Sequence, residues 1–171
     1  VAMRWQMSRT MAAKLSYTMM TQYVHRITNS FLDLPTDYWV STTAKLEPMR
    51  SWQLTAGLYA EPSSRLDLSV EAYYKRTNHM LQYASWAGIE PPADRWDDNV
   101  MDGRGMSYGV EADVHYHTSR LDLSAAYTLS WNKRCFDGWY DGWFADKVGN
   151  RHELNVTMQW AGIEPPADRW D

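Results

Sequence analysis

Hydrophobic and polar residues alternate at every second position along several stretches of the chain. Residues 66–75 read Leu-Asp-Leu-Ser-Val-Glu-Ala-Tyr-Tyr-Lys, so one set of alternate positions is apolar and the other is mostly polar. Because successive side chains of a β-strand point to opposite faces, this pattern predicts a strand with an apolar and a polar face. Clear or weaker copies of it occupy residues 1–7, 12–22, 52–60, 108–117, 121–131 and 152–160. The pattern predicts about seven strands in all.

The connections between these strands alternate in length. Short turns are expected at residues 8–11, 61–65 and 118–120, and long connections at residues 26–49, 76–106 and 132–151. Hairpin loops usually contain about two to five residues, and a soluble sandwich has no reason to place every long loop at one end. Outer-membrane barrels do so, with short periplasmic turns and long outer loops. We therefore predict an all-β fold, an antiparallel up-and-down segment of a transmembrane β-barrel.

Composition supports a protein that meets both lipid and water. Ten Trp and eleven Tyr outnumber three Phe, and rings with one polar edge collect where apolar material meets water. The mean hydropathy of −0.58 is compatible with a barrel, whose strands turn only alternate residues toward lipid. The net charge of −4, without a run of Lys or Arg, argues against nucleic acid as a partner. The single cysteine, Cys135, has no metal-ligand spacing.

Two features bear on the boundaries of the domain. Residues 86–97 recur without any difference as residues 160–171. The first copy falls inside a long connection, but the second follows a strand where a short turn is due. We therefore expect residues 1–159 to be a partial barrel and residues 160–171 to be a truncated or wrongly joined end, with a duplicated binding loop as the alternative. Since the first residues lack the features of a signal peptide, we expect an internal fragment.

One motif suggests an enzyme. Gly105, Ser107 and Gly109 match the G-x-S-x-G nucleophile elbow of hydrolases. That elbow requires a buried strand before the serine and a helix after it, in a strained turn. Here Asp102 and Arg104 precede the motif and an amphipathic strand follows it. We therefore predict that the chain is not an enzyme and has no catalytic residues.

A second set of polar residues lies on the wet faces of the predicted strands. His115 and His117 share one face with Glu111 and Asp113, but positions two apart on a strand are separated by about 6.6 Å. Neighbouring strands would have to help complete a tetrahedral metal site. We therefore expect these side chains to line a water-filled lumen and predict no metal site and no cofactor. The predicted lumen-facing residues are Glu71, Glu111, Asp113, His115, His117 and Asp122.

The long connections contain aromatic and acidic side chains that could hold a ligand arriving from outside by stacking and hydrogen bonding. The alternative is an interfacial girdle together with packing of the loops on one another. The candidate ligand-binding residues are Tyr83, Trp86, Trp96, Asp97, Trp139, Tyr140 and Trp143.

With the strands placed, the chain resembles the barrel of TonB-dependent outer-membrane receptors, particularly the large nutrient-uptake group. The segment from Gly105 to Glu111, Gly-Met-Ser-Tyr-Gly-Val-Glu, is one of the stretches that carry the resemblance. The others are residues 34–40, 45–51, 70–75, 80–83, 127–131 and 150–155.

The resemblance implies import of a nutrient across the bacterial outer membrane, the cargo being a siderophore, vitamin, peptide or glycan. It implies a 22-stranded barrel with its own plug domain, energy from the TonB complex, contact with outer-membrane lipid, and in some members a surface lipoprotein partner. The chain shows neither a plug nor a TonB box. The alternative is a soluble or secreted β-sandwich that binds carbohydrate through its tryptophans.

Overall fold

The computed structural model describes residues 1–27, 38–83, 96–137, 142–146 and 149–161. These residues form β-strands and one short 3-10 helix, Trp96–Asn99. The strands are β1 (Ala2–Gln6), β2 (Met11–Gln22), β3 (Val24–Ile27), β4 (Tyr38–Ser41), β5 (Met49–Ser63), β6 (Leu66–Tyr83), β7 (Val100–His117), β8 (Leu121–Phe136), β9 (Phe144–Ala145) and β10 (His152–Trp160).

Eight of the strands form one antiparallel sheet, and seven of these lie in the order β1-β2-β5-β6-β7-β8-β10. Strand β9 pairs with β8, and β3 and β4 form a separate two-stranded sheet. Strands that are adjacent in this path also follow one another along the chain, apart from the short β3, β4 and β9. This is the meander that the sequence predicts, and the all-β antiparallel fold is confirmed. No helix among the described residues has the length and apolar character that spanning a membrane as a helix requires.

The short connections all lie at one end of the sheet. They join β1 to β2, β5 to β6, and β7 to β8. The last of these turns is stabilised by Thr118, whose Oγ1 accepts hydrogen bonds from the backbone N–H groups of Arg120 and Leu121 at 3.3 and 3.0 Å. A threonine hydroxyl that captures N–H groups two and three residues later is a common way to close a tight turn. The long connections lie at the opposite end, as predicted.

Four strands extend well beyond their predicted ends, which corrects the expected loops, and β5 (Met49–Ser63) does so at both ends. Strand β6 continues to Tyr83, β7 begins at Val100, and β8 continues to Phe136. In β6 the register shifts between Asn78 and Met80, where His79 has a φ of 58°. Such a bulge adds one residue to a strand and exchanges the faces of all the residues beyond it. Backbone pairing continues even though the sequence pattern does not.

The register of the sheet places the apolar residues of all seven strands on one face. One row of directly paired positions runs from Leu15 through Ala56, Ala72 and Val110 to Leu129. Residues opposite each other in an antiparallel pair point to the same side, so this whole row is apolar on one side. The alternation predicts the apolar face of each strand, and the register joins these faces into one surface.

The apolar face is exposed. Val70 in the middle of β6 is 50% exposed, and Leu154 on β10 is 66% exposed. The buried hydrophobic residues of the described ranges are few, namely Ala12, Leu46, Cys135 and Phe136. In a soluble sandwich this face would be covered by a second sheet, and the described residues contain no such layer. An exposed apolar surface of this extent is typical of a protein face that contacts lipid or another protein, and lipid is the environment that the barrel prediction expects.

Aromatic rings mark the two borders of the apolar face. Toward the long connections, the ring of Trp52 lies between Tyr17 and Tyr74, with centroid distances of 6.4 and 5.4 Å, and Tyr108 stacks on Trp131 at 5.3 Å. Near the turns, the same face carries Trp5, Tyr116 and Trp160. Along β7 the two borders, at Tyr108 and Tyr116, are about 26 Å apart at 3.3 Å per residue. A barrel strand tilted by about 40° would reduce this to about 20 Å, somewhat less than the apolar band of about 25 Å that is typical of such barrels.

Cationic side chains lie beside the aromatic border near the long connections. The ammonium of Lys133 is 5.9 Å from the Tyr108 ring centroid, and the guanidinium of Arg151 is 5.7 Å from that of Trp131. Cations at this distance are attracted to the face of the ring, and long basic side chains reach readily into a headgroup layer. The border therefore combines the two residue types that anchor a protein at a membrane surface.

Candidate functional site

The polar face of the sheet is the candidate functional surface. Glu71 lies directly opposite Glu111, His115 opposite Asp67, and His117 opposite Asp122. All of the residues predicted to face a lumen share this side of the sheet, namely Glu71, Glu111, Asp113, His115, His117 and Asp122. The register thus brings together residues that the sequence could assign only strand by strand. That this side lines a lumen stays a prediction.

A chain of polar contacts joins three strands at the turn end of this face. The imidazole of His115 contacts the carboxylates of Asp122, with Nε2 to Oδ2 at 3.1 Å, and Asp67, with Nδ1 to Oδ2 at 3.5 Å. Two residues farther along β6 and β7, the hydroxyl of Ser69 donates to Oδ2 of Asp113 at 3.1 Å. These contacts link β6, β7 and β8. Because their side chains are close to half exposed, their main effect is to orient the groups rather than to stabilise the fold.

Two glycines on the polar face provide room for side chains of the neighbouring strand. A Cβ atom on Gly109 would lie 3.0 Å from the hydroxyl oxygen of Tyr73 and 2.5 Å from the carbonyl oxygen of Leu129. A Cβ atom on Gly57 would lie 3.0 Å from Cγ of Glu71. The neighbouring side chains therefore lie along the wall instead of projecting straight away from it.

The structure places the suspected nucleophile in the middle of a strand. Ser107 lies within β7 and is paired with Lys75 of β6 and Asn132 of β8. A nucleophile elbow would place its serine at a strained turn between a strand and a helix. Ser107 has neither that turn nor that helix, so the motif has no hydrolase context here.

Comparison with known families agrees with this geometry. The family model described as "TonB dependent receptor-like, beta-barrel" matches residues 1–171, which is the whole chain.

The chain belongs to the TonB-dependent receptor β-barrel family.

The resemblance stated from the sequence is thereby confirmed. Members of this family are transporters of the bacterial outer membrane rather than enzymes, and the full receptor has a plug domain and interacts with TonB. The search of curated proteins found no match to the chain.

The predicted ligand-binding residues of the receptor barrel are only partly described. Trp143 is 38% exposed, and the guanidinium of Arg76 lies 5.8 Å from the centroid of its ring. Asp97 is 2% exposed within the 3-10 helix, so a cargo molecule would reach its carboxylate only if the helix moved. Tyr83 ends β6 and Trp96 begins the helix. The remaining candidates, Trp86, Trp139 and Tyr140, lie outside the described residues, and the whole set stays a prediction.

Two polar side-chain contacts at the outer end of the receptor barrel were not foreseen from the sequence. Lys45 forms an ion pair with Asp98, which joins the segment before β5 to the 3-10 helix. His79, at the bulge of β6, contacts Asp102 of β7 with Nδ1 to Oδ2 at 2.8 Å. Each pair joins residues far apart in the sequence, so no local pattern could have revealed it. The contacts hold the ends of the long connections against the extended strands.

His25 differs from the other histidines in its environment. It lies in the β3–β4 sheet, is 4% exposed, and its Nε2 has no hydrogen-bond partner within the described part of the chain. Burial lowers the pKa of this imidazole because the charged form loses its hydration. His25 is therefore neutral at pH 7 and can act at the outer end of the barrel only as an uncharged group.

Proposed function

We propose that this chain forms part of the wall of an importer that carries a siderophore, vitamin, peptide or glycan into the periplasm. Its apolar face contacts outer-membrane lipid, and its polar face lines the hydrated interior that holds the receptor's plug domain. Energy comes from the TonB complex through parts of the receptor other than these strands. A surface lipoprotein is a further partner that binds at the outer loops and delivers cargo.

One observation supports this proposal above all others. The register of seven strands separates an exposed apolar face from a face that carries carboxylates on three neighbouring strands. Ionised groups are costly in hydrocarbon, so the carboxylate side must meet water or protein and the other side must meet lipid. The carboxylates of that side include those of Asp67, Glu71, Glu111, Asp113 and Asp122.

The assignment of the two faces can be tested with neighbouring residues of β7. Val110 is 41% exposed on the apolar face, and Glu111 lies on the polar face. Nitroxide labels at Val110→Cys and Glu111→Cys, in the receptor with Cys135→Ala, should report opposite environments in membranes. We expect relaxation by oxygen to dominate at position 110 and relaxation by a water-soluble nickel complex to dominate at position 111. Equal accessibility at both positions would contradict the proposal.

The cargo class can be tested by growth. A bacterium that produces the receptor would be grown on one nutrient at a time. A siderophore would be the sole source of iron, a vitamin the sole source of a cofactor, a peptide the sole source of amino acids, or a glycan the sole source of carbon. The bacterium should grow on one of these four nutrients. We expect growth on that nutrient to fall when the receptor gene is deleted and to fall equally when TonB is deleted, because transport requires both. A receptor deletion that leaves growth unchanged on siderophores, vitamins, peptides and glycans alike would refute import of these classes.

A further inference from the structure

Three potential metal ligands meet at the turn end of the polar face. Asp67 lies at the start of β6, and His115 and His117 lie at the end of β7. Each can offer one ligand atom to a common ion, and these atoms all lie within 4.8 Å of one another. His115 and Asp67 are directly opposite each other on β7 and β6, which brings their side chains together. The ring centroid of His117 lies 5.4 Å from that of His115. The three side chains thus form one cluster.

The spacing suits a small divalent ion. Nitrogen and oxygen ligands lie about 2.0–2.2 Å from zinc, so two ligands of a tetrahedral site are about 3.3 Å apart. The 3.5 Å between Nδ1 of His115 and Oδ2 of Asp67 already approaches that separation. Small rotations of partly exposed side chains would bring the third ligand to the same distance. Two imidazoles and one carboxylate favour a transition ion of the zinc class over calcium or magnesium, which prefer oxygen ligands.

The environment of His117 points independently to a missing partner. Its Nδ1 atom is shielded from solvent, and it has no hydrogen-bond partner among the residues that the structure describes. Buried polar atoms of native proteins almost always have a partner, which can be another residue, a water molecule or an ion. The backbone of the same residue is fixed, because its N–H donates to the carbonyl oxygen of Arg65 at 2.9 Å. The end of β7 is therefore held in place, and Nδ1 of His117 can still bind an ion.

Asp122 supplies the support that metal-binding histidines usually have. Its carboxylate lies 3.1 and 3.2 Å from Nε2 of His115, on the side of the ring away from Asp67. A carboxylate that accepts the second ring N–H of a histidine fixes its tautomer and directs the other nitrogen to the metal. This hydrogen bond leaves Nδ1 of His115 to face Asp67.

We propose that Asp67, His115 and His117 bind a divalent transition-metal ion of the zinc class, with Asp122 as a positioning residue for His115. The ion joins the turn ends of β6 and β7 and leaves a fourth position for water or for a group of the plug. This proposal goes beyond import and departs from the expectation that these residues only line a lumen. Import does not depend on it, so each proposal can fail alone.

Calorimetric titration of Zn²⁺ tests the site. The tag-free outer-membrane protein that carries these strands would be purified in detergent, treated with a chelator, and titrated. We expect one saturable site per chain that is lost in Asp67→Asn, His115→Gln and His117→Gln. Asp122→Asn should weaken binding by about 10–100-fold, as expected for loss of a supporting carboxylate. His152→Gln is the matched control, since His152 lies on the apolar face of β10 and should leave binding unchanged.

A spectroscopic readout on the unaltered protein protects the test against variants that fail to fold. X-ray absorption of the zinc-loaded protein should show two imidazole ligands and oxygen ligands. Each variant would be accepted only if it keeps the heat-dependent gel mobility of the folded barrel. Absence of saturable Zn²⁺ binding, a spectrum without imidazole, or full binding by His117→Gln would each overturn the proposal. An equal loss in the His152→Gln control would overturn it as well.

Discussion

Val70→Arg should lower the free energy of unfolding of the receptor barrel in lipid by about 2–4 kcal/mol, the cost of an arginine that faces hydrocarbon near the bilayer midplane. Val70 is 50% exposed on the apolar face, and it lies between Leu58 and Ala112. It is midway between the aromatic borders, so a guanidinium there cannot easily reach either headgroup layer. Guanidinium-induced unfolding in vesicles, followed by tryptophan fluorescence, would measure the change.

Two variants act as controls for this experiment. Ser69→Arg places the same side chain one residue away on the polar face, opposite Asp113, and should change the stability by no more than about 0.5 kcal/mol. Leu123→Arg lies nearer the turn border, opposite Tyr116, so its penalty should fall to about 0–1 kcal/mol. If arginine is equally costly at positions 69 and 70, the separation of the two faces is wrong.

Gly103→Val should destabilise the outer part of the barrel by about 1–3 kcal/mol, the usual cost of adding atoms to a packed site. A Cβ atom at Gly103 would lie 2.3 Å from Cδ1 of Phe136 and 2.9 Å from the carbonyl oxygen of Cys135. Phe136 is only 2% exposed, so its ring has little room to move. The midpoint of denaturant unfolding would report the loss.

A double-mutant cycle separates this steric effect from others. Phe136→Ala alone should also destabilise the protein, because it removes a buried ring. In the Phe136→Ala background, however, Gly103→Val should cost much less, since the ring that it collides with is absent. The residual cost belongs to the carbonyl of Cys135. An unchanged cost in that background would mean that the ring is not the obstacle.

The membrane part of the fold follows directly from the sequence because one physical rule governs it. Between the aromatic borders, every second residue must suit lipid, so the alternation in residues 66–75 and 121–131 predicts both the strands and their faces. Beyond the borders both sides of a strand meet water or other loops, and the rule no longer applies. The sequence around His79 and around the glycines of β7 therefore predicts a loop, although the hydrogen-bonded pairing of the backbone continues to Tyr83.

The candidate site was predictable only in part for a related reason. The alternation of side chains along β7 assigns one face to Glu111, Asp113, His115 and His117. It does not show that Asp67 faces His115, because that depends on the strand register, which the tight turns set. Contacts such as that of Lys45 with Asp98 are farther still from any local pattern, since they depend on how the long connections meet.

The length of β6 beyond the aromatic border has a consequence for where solutes are recognised. From Tyr74 to Tyr83 the strand rises about 30 Å along its axis at 3.3 Å per residue, and roughly 20 Å or more above the hydrocarbon once its tilt is included. Strand β6 therefore ends at Tyr83, and β7 begins at Val100, well outside the hydrocarbon layer. The proposed binding of cargo at the outer loops would thus take place far from the bilayer, and the proposed passage would take place within it.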